Sequence, residues 1–213
     1  MKTRSKALLL MLCAVLFVTA SVLGTMAYLT SQDEVVNTFA VGKVAIKLDE
    51  AKANADGTLV EGADRVQANS YKLLPGHTYN KDPMVTVLKD SEKSYIKMTV
   101  TVSKSAELDA IFGADGANLL TIFEGYDNTN WIYKGNVEDT DANTRTYEFW
   151  YKDAVAAPDD NVALDALFDK IVVPGSITSE QLTTIEGMTI TVNAYAIQAD
   201  GFANEEAAWA AYK

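Results

Sequence analysis

Tyr95-Ile96-Lys97-Met98-Thr99-Val100-Thr101-Val102-Ser103 decides the fold. Side chains of an extended strand alternate between faces, so Ile96, Met98, Val100 and Val102 fall on one side and Lys97, Thr99, Thr101 and Ser103 on the other. A strand with one dry and one wet face belongs to an antiparallel sheet that covers a core on one side only. The pattern recurs along the chain. Val44, Ile46 and Leu48 oppose Lys43, Lys47 and Asp49, and Tyr147, Phe149 and Tyr151 oppose Thr146, Glu148 and Lys152, with Trp150 on the wetter side. Met188, Ile190, Val192, Ala194 and Ala196 share a face, with Ile190 and Val192 expected to be buried in one core with Ile96, Met98 and Val100, and shorter strands are expected at 84–88 and 131–137.

Turn chemistry separates these runs: Ala55-Asp56-Gly57, Pro75-Gly76, Asp127-Asn128-Thr129-Asn130, Thr140-Asp141-Ala142-Asn143 and Pro174-Gly175. Short alternating strands between turns predict a mainly β fold, an antiparallel two-sheet β-sandwich or jelly roll. Short helices decorate it. Residues 105–112 begin with a capping-type serine, Leu164, Leu167, Phe168 and Ile171 recur at helical spacing within 162–171, and Asn204 is placed to cap a terminal helix through Trp209. With neither an internal repeat nor a low-complexity linker, residues 28–213 read as one domain.

Composition narrows the partners. The chain of 213 residues has 18 Lys and Arg against 29 Asp and Glu; without Lys2, Arg4 and Lys6, residues 28–213 carry 15 against 29, a net charge of −14. Nucleic acid is excluded as a partner, since phosphate binding needs clustered cations. The single cysteine, Cys13, lies near the N-terminus, so residues 28–213 have no disulfide and depend on a hydrophobic core.

The first 27 residues read as an export signal. Lys2, Arg4 and Lys6 precede an apolar run over 7–23, and Thr25-Met26-Ala27 sets small residues at the two positions a signal peptidase accepts, so cleavage between Ala27 and Tyr28 is expected. An uncleaved anchor is the alternative, because about 17 apolar residues is the lower limit for a membrane span.

Gly24-Thr25-Met26-Ala27-Tyr28-Leu29-Thr30-Ser31, followed by Asn37-Thr38-Phe39-Ala40-Val41-Gly42-Lys43-Val44, resembles the SipW-type signal peptide and mature start of the TasA/camelysin family, exported by Gram-positive bacteria. Leu73-Leu74-Pro75-Gly76-His77 and Lys81-Asp82-Pro83-Met84-Val85-Thr86-Val87 resemble that family's turn and following strand, and residues 190–196, ahead of Gln198-Ala199-Asp200-Gly201-Phe202, resemble its last strand. The resemblance implies processing by a signal peptidase of SipW type, a secreted or cell-surface location in an extracellular matrix, and a biofilm-matrix role in which subunits self-associate into fibres, with themselves or with related matrix subunits. An extended segment after the cleavage site would then be donated to an open sheet edge of the next subunit, satisfying its unpaired backbone groups. Val35, Val36, Phe39 and Val41 are the candidate anchors of that assembly strand. For residues 28–41 donation and membership of the chain's own sheet both stand; residues after Gly42 are expected in its own sheet.

The resemblance also implies a metalloprotease, and here the residues resist. Zinc proteases use several ligands, commonly two histidines on one helical face with a third group. This chain has one histidine, His77, in the Pro75-Gly76 turn. A Ser-His-Asp arrangement would need the same histidine, and there is no Gly-x-Ser-x-Gly elbow. The adjacent carboxylates Asp159-Asp160 and Glu205-Glu206 read as solvated turn and terminal residues. Accordingly the expectation is no enzyme, no catalytic residue and no cofactor. Asp139, Asp141 and Asn143 echo the first half of a calcium loop but lack its glycine and closing acid, so weak calcium binding stands beside a polar hairpin turn. A monomeric adhesin is the other rival, with Tyr126, Trp131 and Trp150 as candidate ligand-facing aromatics.

Overall fold

The computed structural model describes residues 6, 11–16, 42–113 and 120–212. The signal cleavage residues Thr25, Ala27 and Tyr28 and the assembly strand residues Val35, Val36, Phe39 and Val41 lie outside the described residues. The chain divides into two compact units, Met1–Val41 and Gly42–Lys213. Residues 11–16 of the first are helical, with Cys13 exposed. Among the described residues no helix is long and apolar enough to cross a membrane.

The second unit is mainly antiparallel β, as the alternation predicts. Eleven strands are assigned: β1 Ile46–Asp49, β2 Thr78–Asn80, β3 Met84–Val87, β4 Ser91–Ser103, β5 Phe123–Glu124, β6 Trp131–Asp139, β7 Thr144–Tyr151, β8 Val155–Ala157, β9 Val162–Ala163, β10 Lys170–Val172 and β11 Ile190–Gln198. The helices are α1 Ser105–Phe112, α2 Ser179–Thr184 and α3 Glu205–Ala211.

One layer is a five-stranded sheet in the order β11-β4-β7-β6, with β8 paired to the first part of β4. Ile96, Met98, Val100 and Val102 of β4 are all wholly buried, as their alternation requires. They meet Tyr147 and Phe149 of β7, Val85 and Val87 of β3, Phe123 of β5 and Ile171 of β10 in one core. The opposing layer differs from the expected single sheet: it is split into two three-stranded sheets, β1-β3-β9 and β2-β10-β5.

Proline chemistry accounts for the split. β2 and β3 are separated by Lys81-Asp82-Pro83, and Pro83 has no N–H to continue a ladder. The antiparallel neighbour loosens at the same place, with Leu164 N–H donating to Val85 O, Leu167 N–H to Pro83 O and Asp169 N–H to Glu124 O. The helix expected within 162–171 is therefore absent. Leu164, Leu167, Phe168 and Ile171 are buried as expected, but the first three from the loop after β9 and the last from β10, and the backbone groups of this stretch are taken up by neighbouring strands instead of an i to i−4 ladder.

Two helix ends also depart from expectation. Residues 105–112 are helical, but the N-cap position belongs to Lys104 at φ 59°, and Ser105 is buried. The capping acceptor is Asn143 from the β6–β7 turn, whose Oδ1 accepts from Ala106 N–H at 2.9 Å while its Nδ2 donates to Glu107. Residues 178–181 hold an unanticipated capping box, in which Thr178 and Gln181 satisfy each other's backbone N–H groups at the start of α2. Asn204 caps α3 as expected, accepting from Ala207 N–H.

Helix α3 lies across the outer face of the five-stranded sheet. Glu205 and Glu206 stand 3.7 and 3.8 Å from Lys134 of β6, Trp209 stacks obliquely near Trp150 of β7, Lys97 of β4 sits 4.7 Å over the Trp209 ring, and Tyr212 just beyond the helix meets Tyr195 of β11. A cation against indole faces is attracted by their quadrupoles, which fixes the helix over β6, β7, β4 and β11.

Candidate functional site

The two edges of the five-stranded sheet are built differently. Edge strand β6 carries Lys134, Glu138 and Asp139 and is interrupted by an irregularity between Tyr133 and Gly135, devices that discourage pairing with another strand. Edge strand β11, Ile-Thr-Val-Asn-Ala-Tyr-Ala-Ile-Gln, has no charged residue and keeps an unbroken register with β4 over nine residues. Among the described strands it is paired on one side only. Its inward residues Ile190, Val192, Ala194 and Ala196 pack on the core yet are only half-buried, whereas their register partners Val102, Val100, Met98 and Ile96 are wholly buried. The expectation that Ile190 and Val192 lie fully inside the core is corrected accordingly: they face it, but nothing among the described residues closes over them.

Strand β1 repeats this on the opposing layer. Ile46 and Leu48 are half-buried while their partners Val87 and Val85 are wholly buried. β1 and β11 pass within 8 Å of each other, Cα to Cα, without pairing. Between them lies a cleft of about 530 Å³, which continues into a second of about 800 Å³ walled by residues 69–73 and 182–191. Thus, among the described residues, the core is open along one seam, where an edge from each layer lies uncovered.

A polar cluster that sequence reasoning did not find forms part of the cleft wall. Glu50, Asp49 and Lys81 are 4, 5 and 8% exposed. Lys81 Nζ donates to Glu50 Oε2 at 2.5 Å, and Asn69 Nδ2 donates to Glu50 Oε1. The Arg65 guanidinium joins Asp49 to Asp82, donating to both carboxylates and to both backbone carbonyls. Burial pushes the Asp49 carboxyl up, but hydrogen bonds from Lys47 and Arg65 outweigh it and hold the group below its ordinary value. Tyr71, whose hydroxyl donates to Asn80 O, is pushed well up, first by burial and then by the charge of Glu50. These residues come from positions 49–50, 65, 69, 71 and 81–82, a dispersion with no local motif; the one sequence signal is the charged pair Lys81-Asp82 directly before an apolar strand.

Other candidates lie elsewhere. His77 is exposed in the Leu74–His77 turn, its N–H donating to Leu74 O and its carbonyl accepting from Val173 N–H. Asp139, Asp141 and Asn143 lie at the β6–β7 turn. Asp139 Oδ1 accepts from Ala142 N–H, and the Asn143 amide is committed to α1. Among the described residues no group of three or more His, Cys, Asp or Glu is placed to hold a metal ion. The aromatics named for an adhesin are not an exposed platform. Trp131 is wholly buried with its indole N–H on Asp165 O, Tyr126 donates to Trp131 O, and Trp150 lies under Lys134.

The fold and the seam define a class: an antiparallel β-sandwich with one guarded and one open sheet edge. No family model, curated protein or solved structure matches the chain.

Proposed function

We propose that this chain is a structural subunit of a cell-surface or biofilm matrix, exported by the signal over residues 1–27, and that copies join by strand addition at the free edge of β11. The observation that carries this reading is that edge. A nine-residue, uncharged, regular strand presents unpaired N–H and C=O groups next to half-covered apolar side chains, which is the arrangement an added strand completes. Residues 28–41 of a second copy supply the donor, with Val35, Val36, Phe39 and Val41 as the apolar side chains that cover Val192, Ala194 and Ala196. The likeness of the N-terminal segment to the TasA/camelysin family supports the same reading.

Deletion of residues 28–41 tests it. The expected product folds, remains monomeric by sedimentation, and shows no filaments by electron microscopy under conditions where the chain beginning at Tyr28 forms them. Undiminished filaments from the deletion protein refute the donor assignment; loss of the fold assigns residues 28–41 to the chain's own sheet.

A further inference from the structure

Glu50 holds an amine and a carboxamide at the two oxygens of one carboxylate. Lys81 Nζ donates to Oε2 at 2.5 Å and Asn69 Nδ2 donates to Oε1 at 2.9 Å. Backbone contacts pin all three residues. Glu50 and Val66 exchange N–H to C=O hydrogen bonds at 2.8 Å shortly before Asn69, Ala51 N–H donates to Asp82 Oδ1, and Lys81 N–H donates to Asp169 O. Asn69 Oδ1 accepts from Ala53 N–H at 2.9 Å, and its Nδ2 also donates to Ala51 O.

These are the parts of an acyl transfer. A lysine amine is a nucleophile once it has given up its proton, a side-chain amide carbon is an acyl donor, and a carboxylate bonded to both nitrogens can carry protons from one to the other. The Ala53 N–H already points at the amide oxygen, where negative charge develops on attack. Fixed neighbours react far faster than free ones, because the entropy of bringing them together is already lost. Glu50 and Lys81 are nearly buried, so water has little access to compete with Nζ for the amide carbon.

We propose that Lys81 and Asn69 form an intramolecular isopeptide bond, with Glu50 as the catalytic base and acid. Lys81 Nζ gives a proton to Glu50 and attacks Asn69 Cγ; the Nζ–Cγ bond forms and the Cγ–Nδ2 bond breaks. Both protons that Nζ loses pass through the Glu50 carboxylate to Nδ2, which leaves as ammonium, and Glu50 ends ionised as it began. The reaction takes up no oxidant, reductant or second substrate. Glu50, Asn69 and Lys81 all line the cleft of about 530 Å³, which gives the ammonium a way out. The bond closes a covalent loop around the Leu74–His77 turn and ties it to the β2–β3 junction, in a domain whose residues 28–213 contain no cysteine to form a disulfide. It is independent of strand addition at β11.

Intact mass and tryptic mapping of the purified full chain test it. The expected mass is lower than that of the sequence by one ammonia, and peptide 66–72 is recovered joined to 73–89, because trypsin does not cleave after an acylated lysine. Separate recovery of 66–72 and 73–81 overturns the proposal, even with ammonia lost, since a succinimide at Asn69 loses ammonia without joining the two peptides. Asn69→Ala should keep its full mass and melt below the linked parent. Glu50→Gln keeps the length of the side chain but cannot accept the proton, so the joined peptide should form about a hundredfold more slowly or less after cell-free synthesis. Formation at the parent's rate refutes the role of Glu50. If Glu50→Gln does not fold, Glu50→Asp decides: it keeps the charge but withdraws the carboxylate from both nitrogens, so slower joining supports that role and an unchanged rate refutes it.

Discussion

Val100 and Val192 are register partners on adjacent antiparallel strands, yet Val100 is wholly buried and Val192 is half-buried. The difference comes from position in the sheet, since β4 has β7 on its far side and β11 has no strand there among the described residues. The same side-chain type on the same face thus has two different roles, one in folding and one at an open seam.

Substitution separates these roles. Val100→Asp places an unpaired carboxylate in the core and is expected to destabilise the domain by more than about 3 kcal/mol, measured by urea denaturation. Val192→Asp leaves its carboxylate within reach of water and should cost less than half as much, while abolishing filament growth. A Val100→Asp protein that melts with the parent contradicts the facing of β4.

Glycine replacements probe the turns in the same comparative way. Gly57 has φ 88°, and a Cβ there would lie 2.7 Å from Thr78 O and from the Tyr79 Cα, whereas Gly187 has φ 75° and nothing within 4 Å. Gly187→Ala should cost about 1–2 kcal/mol from backbone strain alone. Gly57→Ala adds a clash with backbone that cannot turn aside, so its melting temperature should fall clearly further.

Acid stability should report two carboxylates. The Arg145 hydrogen bond holds Asp109 below its ordinary 3.8, and Asp49 is also held below 3.8, its hydrogen bonds to Lys47 and Arg65 overcoming burial. Because the folded values lie below the unfolded value of about 3.9, this stabilisation is complete well above pH 4 and is lost as pH falls through the folded values. Asp109→Asn should therefore cost about 1.5–3 kcal/mol at pH 7 and less at pH 3, making the acid limb shallower. An acid limb parallel to that of the parent would show that Asp109 does not contribute.

His77 should be dispensable. Its ring is exposed and its backbone makes the turn's hydrogen bonds, so His77→Ala is expected to melt within about 0.5 kcal/mol of the parent. Zinc content measured on both proteins should be the same. A drop of one zinc per chain in the variant, with loss of a proteolytic activity, would instead assign a metal site to this turn.

Processing is checked by mass. Cleavage between Ala27 and Tyr28 should leave a chain that begins at Tyr28, whereas recovery of a chain still carrying Met1 makes the apolar run an anchor.

Alternation alone determined the faces of β4 and β7, because period-two burial is a property of a single strand and needs no knowledge of its partners. Turn residues likewise placed the breaks at Gly57, Gly76 and Asn143, and Asn204 announced the terminal helix through its own cap. Tertiary structure decided what local pattern leaves degenerate. Leu164, Leu167, Phe168 and Ile171 fit a helix by spacing, and only the waiting acceptors at Val85, Pro83 and Glu124 made the segment a strand, loop and strand. It also decided that β11 is an edge among the described strands and its inward face only half-covered, since strand order is set by pairing between distant segments. The cleft cluster was invisible for the same reason: Glu50, Arg65, Asn69 and Lys81 become neighbours only when the chain returns through β2 and β3 past β1, and no spacing in the sequence records that return.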